Sequence, residues 1–189
     1  MIDTAILHIS GQLNQYLRRY FDLSEEAVAV SNILEQDGSL APRITNRLVL
    51  FLVNIEKETL ASRGQQTSLT HETVISPPPL FLNFFLMVAA HFGNSNYPEA
   101  LKFLSSAIGF FQRNPVFDHQ NSPELDSRID RLILDMENLN IRDLSSLWSI
   151  LSGKYLPSVL YRVRMVAYDS ADILSKASAV TSTRASAYH

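Results

Sequence analysis

The five histidines, at positions 8, 71, 91, 119 and 189, are the side chains best suited to metal binding or to proton transfer near neutral pH. Their spacing supports neither. No HxH or HxxxH pair sets two imidazoles on one face of a strand or helix, and only His71-Glu72 and Asp118-His119 place a histidine next to a carboxylate. Both of those pairs fall in segments with the composition of loops. The chain has no cysteine, which excludes a thiol nucleophile, a Cys-ligated zinc site and a disulfide framework. There is no GxSxG elbow, and the six glycines form neither a phosphate-cradling loop nor a dinucleotide fingerprint. Catalysis needs a nucleophile, a base and a charge stabiliser converging on one pocket. The expectation is therefore no catalytic residue, no metal and no cofactor. His8 and His91 are expected to be structural, and an enzyme built around His91, Asp118 or His119 is the weakest of the functional readings.

The chemistry that does stand out is that of contact. Arg162 and Arg164, two residues apart, would present two guanidinium groups on one face of a strand, fit for a partner's carboxylates or simply for a solvated sheet face. Lys154 and Tyr155, shortly before them, complete the candidate interface residues. Trp148, the single tryptophan, is expected to be a core anchor, with a partner-facing hot spot as the alternative.

The elements that would position these residues follow from hydrophobic period. Apolar residues at helical spacing predict a helix over 3–21, with Asp3 as its N-cap and Arg18 and Arg19 in its last turn. A strand is predicted over 27–34, closing in a turn at Glu35-Gln36-Asp37-Gly38. Leu48 to Val53 is apolar without a break, which predicts a strand over 47–57 covered on both faces. The Ser-, Thr- and Gln-rich stretch 60–76 is expected to be a long surface loop. Pro77-Pro78-Pro79 then enters a second apolar run, 80–90, read as a strand.

Asn96, Pro98 and Glu99 predict a capping-box start for a helix running to Arg113, with Leu101, Leu104, Ile108 and Phe111 on its apolar face, widened by Phe103, Ala107 and Phe110. A polar loop over 117–123 leads to a strand over 128–137 with Leu132, Leu134 and Met136 on one face. A short helix over 140–153 is capped by Asn140 and Asp143 and ended by Gly153, with Leu144, Leu147, Trp148 and Leu151 inward. In the last strand, 159–168, Val159, Tyr161, Val163, Met165 and Ala167 alternate with Leu160, Arg162, Arg164, Val166 and Tyr168. The sum is an α/β (α+β) domain over 1–169. It has a mixed, roughly five-stranded sheet and about three helices, followed by a flexible C-terminal arm over 170–189.

Composition bounds the partners. With 46% hydrophobic and 19% charged residues, the 189-residue chain suits one well-formed core. Sixteen Lys and Arg against 19 Asp and Glu, a net charge of −3, give no basic field for nucleic acid. The longest apolar run, Leu80 to Phe92, is interrupted by Asn83 and falls short of the roughly 20 residues of a spanning helix, so no membrane span is expected. The first residues lack the basic start of a signal peptide and are expected to be those of the mature protein.

Two stretches carry a resemblance. The first runs from Pro77-Pro78-Pro79-Leu80-Phe81-Leu82-Asn83 through Tyr97-Pro98-Glu99-Ala100-Leu101-Lys102-Phe103-Leu104 to Phe110-Phe111-Gln112. The second, more specific, is Leu144-Ser145-Ser146-Leu147-Trp148-Ser149-Ile150-Leu151-Ser152-Gly153-Lys154-Tyr155-Leu156-Pro157-Ser158-Val159-Leu160-Tyr161. Both resemble the N-terminal domain of the cap, or tail-terminator, proteins of extracellular contractile injection systems, phage-tail-like particles with an inner tube in a contractile sheath. The resemblance spans about residues 2–169. It implies a non-enzymatic α/β protein that forms a homo-hexameric ring on the distal end of tube and sheath, stops their polymerisation and helps set tail length. The implied partners are further copies of the chain, the inner-tube protein and the sheath protein. Relatives often continue into a C-terminal extension, which leaves two alternatives for the sheath contact: this chain alone, or this chain with a second cap protein. Assembly in the bacterial cytoplasm, with the particle then released or acting at a membrane, is the implied location. A transient adaptor or chaperone for tube or sheath subunits is the alternative within the same machine.

Overall fold

A computed structural model describes residues 1–58, 74–75, 80–93, 96–151, 154–167 and 175–176. The chain runs α1 (Ile2–Phe21), β1 (Val28–Val30), β2 (Arg47–Lys57), β3 (Val74–Ile75), β4 (Leu80–His91), α2 (Tyr97–Arg113), β5 (Val116–Asp118), β6 (Ile129–Glu137), α3 (Ile141–Ile150), β7 (Ser158–Ala167) and β8 (Ser175–Lys176). Six strands form one sheet in the order β1-β2-β4-β7-β6-β5. Only β1 and β2 are parallel, and every other neighbouring pair is antiparallel. The sheet is thus mixed, as expected, with six strands in place of five. The added one, β5, lies where a polar loop was expected: Phe117 packs into the core with a single alternation on each side, too short for a period to register.

Two cores lie on opposite faces of this sheet. Leu48 and Leu50 of β2, Phe84, Leu86 and Val88 of β4, and Tyr161, Val163 and Met165 of β7 point to one face, where α1 and α2 cover them. The residues of opposite parity, Val49, Phe51, Met87, Ala89 and Leu160, point to the other face and meet Trp148 from α3 together with Ala41 and Ile44. Strand β2 is therefore buried on both faces only from Leu48 to Phe51. Beyond a bulge between Leu52 and Asn54 it becomes largely exposed.

Helix starts differ in part from the sequence expectation. Helix α1 has Met1 at its N-cap with no side-chain cap bond, and the Asp3 carboxylate instead pairs with the terminal ammonium group. The Asn96 side chain makes no cap bond to α2, whose first turn instead holds Pro98 and a Glu99–Lys102 ion pair at 2.6 Å. Asn140 does cap α3, its side chain accepting from the Asp143 N–H. In α2 the buried stripe is Ala100, Phe103, Leu104, Ala107, Phe110 and Phe111, while Leu101 faces solvent. Met136 shares the face of Leu132 and Leu134, as expected, but is 47% exposed where they are buried.

The strand predicted over 27–34 is only three residues long. After it the chain makes a bridge between Leu34 and Leu40 around the expected turn, where Gly38 takes a φ of 81° and donates to the Glu35 carbonyl. The expected loop 60–76 and arm 170–189 lie outside the described residues except at one point. There Val74–Ile75 and Ser175–Lys176 pair as a two-stranded antiparallel ladder. Gly153, the expected end of the third helix, also lies outside them.

Candidate functional site

The half of the sheet face that α3 leaves uncovered is where the candidate contact residues collect. Alternation along β7 puts Leu160 under α3 and carries Arg162 and Arg164 onto the same face beyond it, both exposed. Register places Asp135 of β6 opposite Arg162 and Ile133 opposite Arg164. The side chains pair diagonally: Arg164 donates to Asp135 at 2.6 Å, and Arg162 lies 3.4 Å from Glu137. The two arginines thus already have carboxylate partners on the neighbouring strand. Each acidic residue, like each arginine, stands two positions from its mate, so a sign existed in the sequence: two Asp/Glu at i, i+2 facing two Arg at i, i+2.

Next to this ladder a groove of about 570 Å³ runs over Phe81, Ile133 and Val166 and reaches Asn83. Asn83, the polar residue within the apolar β4, is buried. Its Nδ2 donates to Glu58 at 2.9 Å while its Oδ1 has no protein partner. Among the described residues this is the most polar point inside the sheet.

Trp148 and Tyr155 come together at the other end of the same side. The indole is buried at 4% exposure in the second core, and the Tyr155 ring, 60% exposed, meets it edge-on at 5.9 Å. Ile141 and Ser145 flank this aromatic pair in a cleft of about 420 Å³, and Ile141 is the most exposed large apolar side chain described, at 86%. Lys154 is exposed beside Tyr155.

The histidines do not converge. His119 makes a 2.8 Å hydrogen bond to the Ile129 carbonyl, and Asp118 closes its own turn by accepting from the N–H groups of Gln120 and Asn121. His8 packs edge-on against Phe117 at 5.6 Å, and burial lowers its pKa, a nearby Glu124 opposing the shift. The ring Nδ1 of His91 is buried without a partner. His71 and His189 lie outside the described residues. Burial raises the Tyr161 phenol far above its ordinary value, so it stays protonated. The Arg128 guanidinium holds the Asp126 carboxyl well below the usual range. Among the described residues no group of three or more His, Asp or Glu could hold a metal ion, and no helix is long and apolar enough to cross a membrane.

This architecture has relatives among solved structures. One is the sheath/tube terminator, in the extended state, of PVC, an extracellular contractile injection system. It matches with a TM-score of 0.65 at 13% identity over 100% of this chain. A second is the tube terminating cap of the anti-feeding prophage, at a TM-score of 0.57 and 15% identity over 95% of this chain. The chain spans 64% and 60% of the length of those two proteins. At such identities the likeness establishes the fold they share. No curated protein matches the sequence. The domain family described as the Pvc16 N-terminal domain, however, matches residues 6–182, nearly the full α1-to-β8 course traced above, and the chain belongs to that family.

Proposed function

We propose that this protein is a structural cap: a homo-hexameric ring that seats on the distal end of the inner tube and sheath of a contractile injection particle and stops their growth. The observation that carries the proposal is the family match over residues 6–182, supported by a fold shared over 100% and 95% of the chain with two proteins described as terminators. On this reading the protein is not an enzyme and takes no cofactor. It contacts the tube protein and the sheath protein, alone or with a second cap protein, in a particle assembled in the bacterial cytoplasm and later released.

A terminator must bury one surface on its own neighbours and another on the last ring below it. The α3 side offers Tyr155, Lys154 and Ile141 at one end and the Arg162 and Arg164 ladder at the other, and we assign this side to the tube or sheath contact. Deleting the protein from cells that make the particle should give tubes or sheaths of uncontrolled length under the electron microscope. Normal lengths in that deletion would overturn the proposal. Finding the chain only in unfinished particles, and absent from one end of complete ones, would make it a transient assembly factor instead.

A further inference from the structure

Asn83 interrupts the apolar run of β4 and is 7% exposed, so its amide must find its hydrogen bonds inside the protein or from a visitor. A carboxamide carries two N–H donors and one acceptor oxygen. The Nδ2 group donates to Glu58 at 2.9 Å, which fixes Oδ1 as the atom turned the other way, and that oxygen has no partner. A buried acceptor without a donor is costly, and a donor arriving from outside the chain recovers that cost. The neighbours in its own row do not supply one. Register sets Glu56 of β2 on one side of Asn83 and Arg164 of β7 on the other. Glu56 accepts a bond from Asn54, and the Arg164 guanidinium turns away to Asp135 of β6.

The groove of which Asn83 forms the floor suits a side chain that is apolar along its length and charged at its tip. Phe81, Ile133 and Val166, each half-buried, make its apolar walls. Register puts Val166 beside Phe81 and Ile133 beside Arg164, so these walls flank Asn83 both along and across the strands.

Charge sets the sign of the visitor. Glu56, Glu58, Asp130, Asp135 and Glu137 line the groove or stand on this half of the sheet face, against Arg131, Arg162 and Arg164. Each arginine already faces a carboxylate: Arg131 pairs with Asp130 at 2.7 Å, Arg162 with Glu137 and Arg164 with Asp135. Acid is therefore in excess among the described residues. A partner's carboxylate would meet occupied arginines and like charge, whereas an ammonium or guanidinium group meets an acceptor with nothing on it. Lysine and arginine also bring the aliphatic stem that the walls would cover.

We propose that this groove takes a basic side chain, a lysine or arginine of the tube or sheath protein, with its stem against Phe81, Ile133 and Val166 and its cationic head on Asn83 Oδ1. The inference rests on the cap reading above, which gives this side to the tube or sheath, and it names the chemistry that the side recognises.

The probe for the test is an acetylated, amidated Leu-Lys-Leu tripeptide added to the full-length protein at millimolar concentration. It should shift the NMR signals of the Asn83 side-chain amide saturably. The same peptide with norleucine or glutamate in place of lysine should bind at least about tenfold more weakly, the loss expected for one charge-assisted hydrogen bond. Asn83→Leu keeps the size of the side chain and removes the unpartnered oxygen, so its Tm should equal or exceed that of the parent while the preference for lysine over norleucine disappears. That preference is a ratio measured on one protein, so it remains a test even where Tm falls. A norleucine peptide that binds as well as the lysine one, or no saturable shift with any of them, would overturn the proposal. Inside assembled particles, Phe81→p-benzoylphenylalanine should on irradiation capture a tube or sheath peptide with a lysine or arginine beside the point of attachment. Capture of a second copy of this chain, or of a stretch without a basic residue, would overturn it as well. Tail length in the deletion decides the cap reading separately, so the groove can fail while the cap stands.

Discussion

At the scale of single residues, several of the groups that first suggest chemistry are occupied with holding the chain together. His119 is tied to a backbone carbonyl, Asp118 to its own turn, and Arg162 and Arg164 to the carboxylates of β6. His8 yields a pH prediction. Burial lowers its folded-state pKa below the ordinary 6.5, so between those two values the unfolded chain binds the proton more readily. Stability should be full above pH 6.5 and fall as the pH drops through that window. The slope should be shallower than the about 1.4 kcal/mol per pH unit that one whole proton would set. Thermal melts of the parent and His8→Leu from pH 5 to 8 check this, since the variant should lose that part of the slope. Arg162→Ala and Arg164→Ala should each cost below about 1 kcal/mol in denaturant titrations, because both ion pairs are nearly half exposed. A loss of assembly in those variants at unchanged stability would place them at a contact.

At the scale of elements, packing decided what propensity left open. Helix α3 has a defined cap and a periodic face, and Trp148 is its one fully buried residue, with Leu144 and Leu147 packed half-buried beside it against the sheet. Trp148→Ala should cost about 3–5 kcal/mol and lower Tm by roughly 10 °C. A melting curve shows this directly, and an unchanged Tm with lost assembly would mark the indole as an interface group. The 80–91 run shows the opposite situation. Periodicity cannot separate a buried strand from a buried helix, and β4 is a strand because it lies central, between β2 and β7, with both faces covered over much of its length. The alternation in β7 was legible because its two faces differ in kind: a core on one side, and on the other a patch of Leu160 giving way to arginines.

At the scale of the whole molecule, the apolar content is divided between two cores, a larger one under α1 and α2 and a smaller one under α3. Every buried residue described lies at or before Ala167. Truncation after Ser170 should therefore leave Tm near that of the full chain, and on the cap reading it should weaken assembly. A collapse of Tm would show that the pairing of Val74–Ile75 with Ser175–Lys176 is a structural tie.

The sequence by itself determined the long elements, the doubly apolar strands, the capped third helix and the lack of clustered site chemistry. Period, caps and residue type are local properties that survive without any knowledge of neighbours. It also carried the family likeness, in the segment around Trp148 and in the proline-led strand with its helix. Only the tertiary structure decided strand order, the sixth strand and the exposure of Met136 and Leu101. The partners of Arg162 and Arg164 belong to the same class. Each depends on which strand lies beside which and at what height, a non-local choice that hydrogen-bond register makes and residue spacing cannot encode.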